Sequence, residues 1–270
     1  MNFKHTILAL ALVLGTSATQ AEINSVDNVP AATLLAPYFD IDLANANGVR
    51  TTLTIGNASA VEQVAHVTLW TDLGVPSLNF DVRLDARDTL DIDLRALFSS
   101  GSLPSSTAGG FGSCSALLPP VPLSAGQLTG LRNAHTGVAS SLLSNQCGGS
   151  APADGHARGF ITIDVVSGCS TLFPGDAGYF VGGGTGTAKN DNVLWGEMLV
   201  SNPSIGITYG DALVHVEADA SNALTDGVDG PSGVDYTFYR RMAATAGADN
   251  REALGLDYQA RYQNTAAVST

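Results

Sequence analysis

The chain has 270 residues, 44% of them hydrophobic, which is ample for a packed core, and only 14% charged, against about a quarter in an average domain. Its 12 Lys and Arg face 25 Asp and Glu, and the resulting net charge of −13 argues against nucleic acid and anionic membrane surfaces, both of which require a basic patch. Low charge with 30 glycines is the composition of an exported β protein with many turns.

Lys4 and His5 open a segment whose apolar run, Ile7 to Leu14, is too short to span a bilayer. Thr19-Gln20-Ala21 then offers small residues to a signal peptidase, so residues 1–21 read as a signal peptide cleaved after Ala21. Nothing later approaches the roughly 20 apolar residues of a transmembrane helix. The expected location is therefore outside the cytoplasm: periplasmic, cell-surface or extracellular.

Residues 22–32 form an extended leader, and Thr33 to Leu43 reads as a first strand whose early part Pro37 places at an edge. Asn45-Ala46-Asn47-Gly48 is a turn, and strands follow over Val49–Asn57, Gln63–Thr71, Leu78–Leu84 and Thr89–Leu94. Polar and apolar residues alternate strictly through them, as in Ala65-His66-Val67-Thr68-Leu69. Because successive strand side chains point to opposite faces, this predicts antiparallel sheets with one dry and one wet face. From Ser99 to Ala157 the alternation gives way to Ser, Gly and Pro. One helix is expected there, with Ser124 and Gln127 as a capping box and Leu128, Leu131 and Ala134 on one face. Alternation resumes at Gly159 to Val166, followed by an irregular stretch through Gly182-Gly183-Gly184-Thr185-Gly186. Further strands are expected at Val193–Val200, Asp211–Asp219 and Tyr236–Arg241, then a short helix or last strand over Ala253–Tyr262.

The runs "LLAPYFDIDL", "TLTIGNAS", "VAHVTLWTDLG" and "LNFDVRLDARDTLDIDL", with "ARGFITIDVV", "LFPGDAGYF" and "NVLWGEMLV" later, resemble a group of uncharacterised secreted bacterial proteins with an N-terminal immunoglobulin-like β-sandwich. The resemblance covers most of the mature chain, rests on structural motifs and implies no activity. Members often continue well past the point where this chain stops, which implies a longer protein. The expected fold class is all-β: a mostly antiparallel, immunoglobulin-like β-sandwich with a long loop-rich insertion and at most one or two short helices. In domain terms, 22–98 and 158–263 form the sandwich, 99–157 the insertion with one short helix, and 264–270 a flexible tail. Two domains split near residue 158 is the alternative.

Three cysteines, Cys114, Cys147 and Cys169, allow one disulfide and one leftover thiol in an exported chain. All three pairings are open. Cys114–Cys147 is favoured because it would close off the Ser/Gly/Pro-rich segment, leaving Cys169 over, as a longer protein would explain.

Chemistry-bearing residues are few. His215, Glu217 and Asp219 stand at i, i+2, i+4, so a strand would bring an imidazole and two carboxylates to one face, able to bind zinc or calcium or polarise a water. The plain alternative is the wet face of a half-buried strand. Asp226 and Asp229 lie in an acidic turn suited to calcium, although the EF-hand spacing is missing. Otherwise no cofactor is indicated. Gly183 to Asn190 fails the phosphate-loop pattern, with Ala188 at the second glycine and Asn190 at the hydroxyl position. There is no G-x-S-x-G elbow, and Asp81, Asp85, Asp91 and Asp93 are carboxylates expected on any acidic sandwich. Trp70 and Trp195 are candidate binding aromatics for a carbohydrate or protein partner, although the favoured place for Trp70 is the core, where the long insertion could cover its face. Together these readings lead to a non-catalytic exported module that binds a protein partner or associates with itself, its long first strand suiting edge-to-edge assembly. A secreted hydrolase or calcium-dependent binding protein using the acidic strand face is the rival.

Overall fold

The computed structural model describes residues 29–218 apart from 108, 120 and 151–153. The expectations for the signal peptide, residues 236–241, 253–262 and 264–270, and the candidate ligands Asp219, Asp226 and Asp229 lie outside the described residues.

Strands β1 (Thr33–Asp42), β2 (Arg50–Asn57), β3 (Gln63–Thr71), β4 (Pro76–Leu84) and β5 (Thr89–Asp93) come first. Helix α1 (Leu94–Ser100), the two-residue strands β6 (Ser106–Thr107) and β7 (Leu117–Leu118), and helix α2 (Ala125–His135) form the insertion region. β8 (His156–Val166), β9 (Leu194–Asn202), β10 (Ile207–Ala212) and β11 (Val214–Val216) complete the order. The longer strands build an all-β sandwich of two antiparallel sheets, one five-stranded in the order β11-β1-β8-β3-β4 and one four-stranded in the order β10-β9-β2-β5, while β6 and β7 pair apart as a two-stranded sheet. Strands from before and after the insertion share both sheets, since β8 lies between β1 and β3 while β9 pairs with β2.

The alternation is realised as packing. Leu34, Phe39 and Ile41 of β1, Ala65, Val67 and Leu69 of β3, and Ile161, Ile163 and Val165 of β8 point between the sheets, where they meet Leu53, Ile55 and Ile92 of the other sheet. The wet face expected opposite them is only partly wet, and this corrects the sequence reading: every residue of β3 is buried. The chain from Ser167 to Val193 returns over the outer face of the five-stranded sheet. There Tyr179, Phe180 and Ala188 form a second core with Leu35, Trp70, Phe160, Val214 and Val216. Lys189 N–H donates to the Val165 carbonyl and Ser167 N–H to the Thr187 carbonyl, which fixes this cover to the end of β8.

The first strand also differs from its expectation. Its early part is flanked by β11 and β8 instead of lying at an edge. Pro37 falls within a register shift between Ala36 and Phe39, a bulge that spares the ladder the bond proline cannot make.

Both helices follow local chemistry. Ser124 and Gln127 form the expected reciprocal capping box, and α2 buries Leu131 and Ala134. α1 was not expected: the Asp93 carboxylate accepts from Ala96 N–H at 3.1 Å, and Gly101, at φ 74°, closes the helix by donating to the Leu97 carbonyl.

Candidate functional site

β4 is the last strand of the five-stranded sheet, and a cleft of about 660 Å³ runs beside it. Leu78 and Phe80, which point to the inter-sheet core, and Asn79 and Asp81, which point to the outer face, all line this cleft. Residues of both parities can share one cleft only where it lies along the strand's edge. One wall comes from the insertion, with Leu103, Leu118, Val121, Leu123 and Gln127, and the other is Cys169-Ser170-Thr171. Its volume falls within the roughly 300–1,000 Å³ of typical ligand sites.

The two walls are joined by a disulfide between Cys114 and Cys169, a sequence separation of 55. This corrects the Cys114–Cys147 expectation. Cys147 is the exposed thiol, and the bond ties the insertion to the cover segment instead of closing a loop within the insertion. The second wall is also pinned by β4. Asn79 Nδ2 donates to the Thr171 and Leu172 carbonyls at 3.0 and 3.1 Å, and Asp81 Oδ2 accepts from Ser170 N–H at 3.0 Å. The other oxygen, Asp81 Oδ1, lies 2.7 Å from Nδ1 of His66, which is fully buried on β3. The Ser170 hydroxyl accepts from Leu172 N–H, so the carboxylate and imidazole act as a strut holding the wall.

A related strut lies under the cover. Asp164 receives the Thr33 hydroxyl on one oxygen and the Tyr179 hydroxyl on the other, the latter at 2.7 Å. Trp70 is 1% exposed, stacks on Phe160 at 5.7 Å and donates its indole N–H to Thr162. Trp70 is therefore a core residue, as favoured from the sequence, which removes it as a binding aromatic; the correction is that the 167–193 segment and not the insertion occupies its face. Trp195 is half-buried on the outside of the four-stranded sheet and lies across Gly56, where an added Cβ would fall 2.3 Å from the indole.

Of the three residues of the proposed metal face, the structure describes His215 and Glu217. His215 is 5% exposed, its Nδ1 lies 2.6 Å from the Val29 carbonyl and its Nε2 3.4 Å from Gly196 N–H. Its side chain points toward the four-stranded sheet, so the wet-face reading of His215 is corrected as well; Glu217 is half-buried. Among the described residues, no group of three or more His, Cys, Asp or Glu is placed to hold a metal.

A cluster that the sequence reading missed lies at the other end of the outer face. Asp40 accepts from the Tyr38 hydroxyl at 2.9 Å and from Arg158 Nε at 3.3 Å, and its second oxygen is 2.5 Å from His156 Nδ1. Arg158 also bonds Asp154, holding that carboxyl down at about 2 and raising its own pKa. Burial, with Asp40 beside it, raises the Tyr38 phenol. The β1–β8 register pairs Asp40 with Arg158 and Asp42 with His156, so pairing that local alternation could not specify creates the cluster.

Fold and cleft define the class: an antiparallel β-sandwich with a disulfide-walled groove along one sheet edge. No protein-family model, curated protein or solved structure matches this chain.

Proposed function

We propose that the protein is an exported, non-catalytic binding module and that the cleft along β4 is its binding surface. The observation that carries this reading is the cleft itself, whose two walls are covalently joined and hydrogen-bonded to the strand between them. A site held in its open shape binds with little ordering cost. Its one carboxylate, on Asp81, spends both oxygens on structure, which suits recognition better than proton transfer. Export agrees with the N-terminal pattern and with a disulfide, which persists in oxidising compartments.

A turnover screen of the full chain and its Asp81→Asn variant against ester, peptide and glycoside substrates tests the non-catalytic reading. No turnover above a heat-denatured control is expected. Turnover that disappears in a folded Asp81→Asn variant would overturn it and favour the hydrolase, and activity or binding lost with chelator would favour the calcium-dependent rival.

Self-association is a second reading, favoured by β10. All six of its residues are exposed, Ile207 and Tyr209 among them, and Ile205 and Leu199 extend the apolar surface. Antiparallel pairing of two copies centred on Tyr209 would set Asp211 opposite Ile207, so the strand's one charge meets no like charge.

A further inference from the structure

The backbone of β4 specifies what the cleft recognises. Arg83 N–H points away from β3, donating to the Ser106 hydroxyl at 2.9 Å. Arg83 is thus on the outward-facing parity of the β3–β4 ladder, and the register runs without a shift from Leu84 to Leu78. Alternate residues of an antiparallel strand turn both backbone groups the same way, so Asn79 and Asp81 also present their N–H and C=O outward. At Arg83 the insertion covers the edge. At Asn79 and Asp81 it stands back to form the cleft, and among the described residues no hydrogen bond reaches their backbone N–H or C=O. Asp81 is only 8% exposed, and unpaired backbone groups on so buried a residue are costly and rare.

We propose that the cleft binds an extended peptide segment of a partner protein as an added strand on β4. This rests on the binding-module reading and deepens it. The peptide pairs through alternate residues with the N–H and C=O of Asn79 and Asp81, the spacing that strand addition requires and that no globular ligand reproduces. One of its side chains lies on the apolar wall of Leu103, Leu118, Val121 and Leu123, and so is apolar. The lining holds a carboxylate, from Asp81, and no Lys or Arg, in a chain of net charge −13, so the segment is neutral or basic and acidic segments are rejected. A carbohydrate fits less well, because the one aromatic ring in the lining, Phe80, is buried and offers no stacking face.

The test uses the full chain and a synthetic library of random heptapeptides. Peptides retained by the unaltered protein are remade with alternate backbone amides N-methylated, and affinities are read by fluorescence anisotropy. Asn79→Pro removes the outward N–H without touching the ladder to β3, whereas Asn79→Ala keeps it. Both lose the side-chain bonds to Thr171 and Leu172, so their difference isolates the backbone. The expected result is enrichment of neutral or basic extended peptides, binding at least about tenfold weaker in Asn79→Pro than in Asn79→Ala, and loss of binding by the N-methylated peptides. The N-methylated peptides decide the matter on the unaltered protein should the proline variant fail to fold. Failure of any peptide to enrich, equal affinity of N-methylated and parent peptides, or enrichment of acidic sequences would overturn the inference. A partner crosslinked within the cleft in both Asn79→Pro and Asn79→Ala with equal yield would overturn strand addition while leaving the binding module standing.

Discussion

His135 offers a measurable consequence of how the insertion is docked. It ends α2 between the rings of Phe39 and Phe98, at 5.4 and 5.1 Å, and is 2% exposed. Nδ1 is 2.8 Å from the Arg158 carbonyl, which can only accept, so Nδ1 carries the proton and Nε2 accepts from the Ser77 hydroxyl at 2.7 Å. Burial pushes its pKa from 6.5 down to about 4, against the opposing pull of the Arg158 carbonyl and Asp72. Because the folded pKa is depressed, the unfolded chain binds the proton first. Stability is therefore intact above pH 6.5 and falls as the pH drops toward 4, where the folded state takes up the proton too. The full loss is about 3 kcal/mol, a large part of a typical domain's stability, and corresponds to a Tm lower by roughly 6–12 °C for a domain of this size. Urea unfolding of the full chain and of His135→Gln at half-unit pH steps between 7 and 4 isolates the effect. The variant is less stable at pH 7, but the difference between the two proteins should narrow by about 3 kcal/mol on acidification. Parallel pH profiles would refute the buried neutral imidazole.

Four further outcomes follow from the same structure. Replacing both Cys114 and Cys169 by Ser should lower stability by about 4 kcal/mol from loop entropy alone, measured by urea unfolding. Without reductant, iodoacetamide should add one adduct per chain, on Cys147, and a peptide map with the label on Cys169 would contradict the pairing. Tyr179→Phe should cost about 1.5–3 kcal/mol, because Asp164 loses a charge-assisted bond in the second core, whereas a loss under about 0.5 kcal/mol would mean that the cover segment is not anchored there. If β10 mediates self-association, Ile207→Lys with Tyr209→Lys should convert a native-mass multimer to monomer at unchanged Tm, and a mass equal to the parent's would exclude that edge.

The sandwich was legible wherever alternation and turn chemistry agree. β3 was bounded at Gln63 and Thr71 as found, and the Ser124–Gln127 capping box located α2. α1 was hidden because Asp93-Leu94 continues the alternation of β5 while Asp93 is already the helix cap. The reading of Asp211 to Asp219 as one strand missed a change of sheet, in which Leu213 separates β10 from β11. Which segment covers Trp70 and which cysteine partners Cys114 are both illegible for a shared physical reason. Both depend on a glycine-rich segment returning to a sheet face, and local periodicity carries no record of that contact. The cleft was likewise beyond the sequence, since its strand, its walls and its disulfide come from three separate stretches.

Peptide capture in the cleft is tested by placing a photo-crosslinking residue at Val121, in the cleft wall, or at Val138, exposed elsewhere, within the full chain in the cells that make it. The expected result is a discrete protein adduct from Val121, mapped to an extended neutral or basic segment and absent at Val138. No adduct at Val121, or the same adducts at both positions, would contradict it.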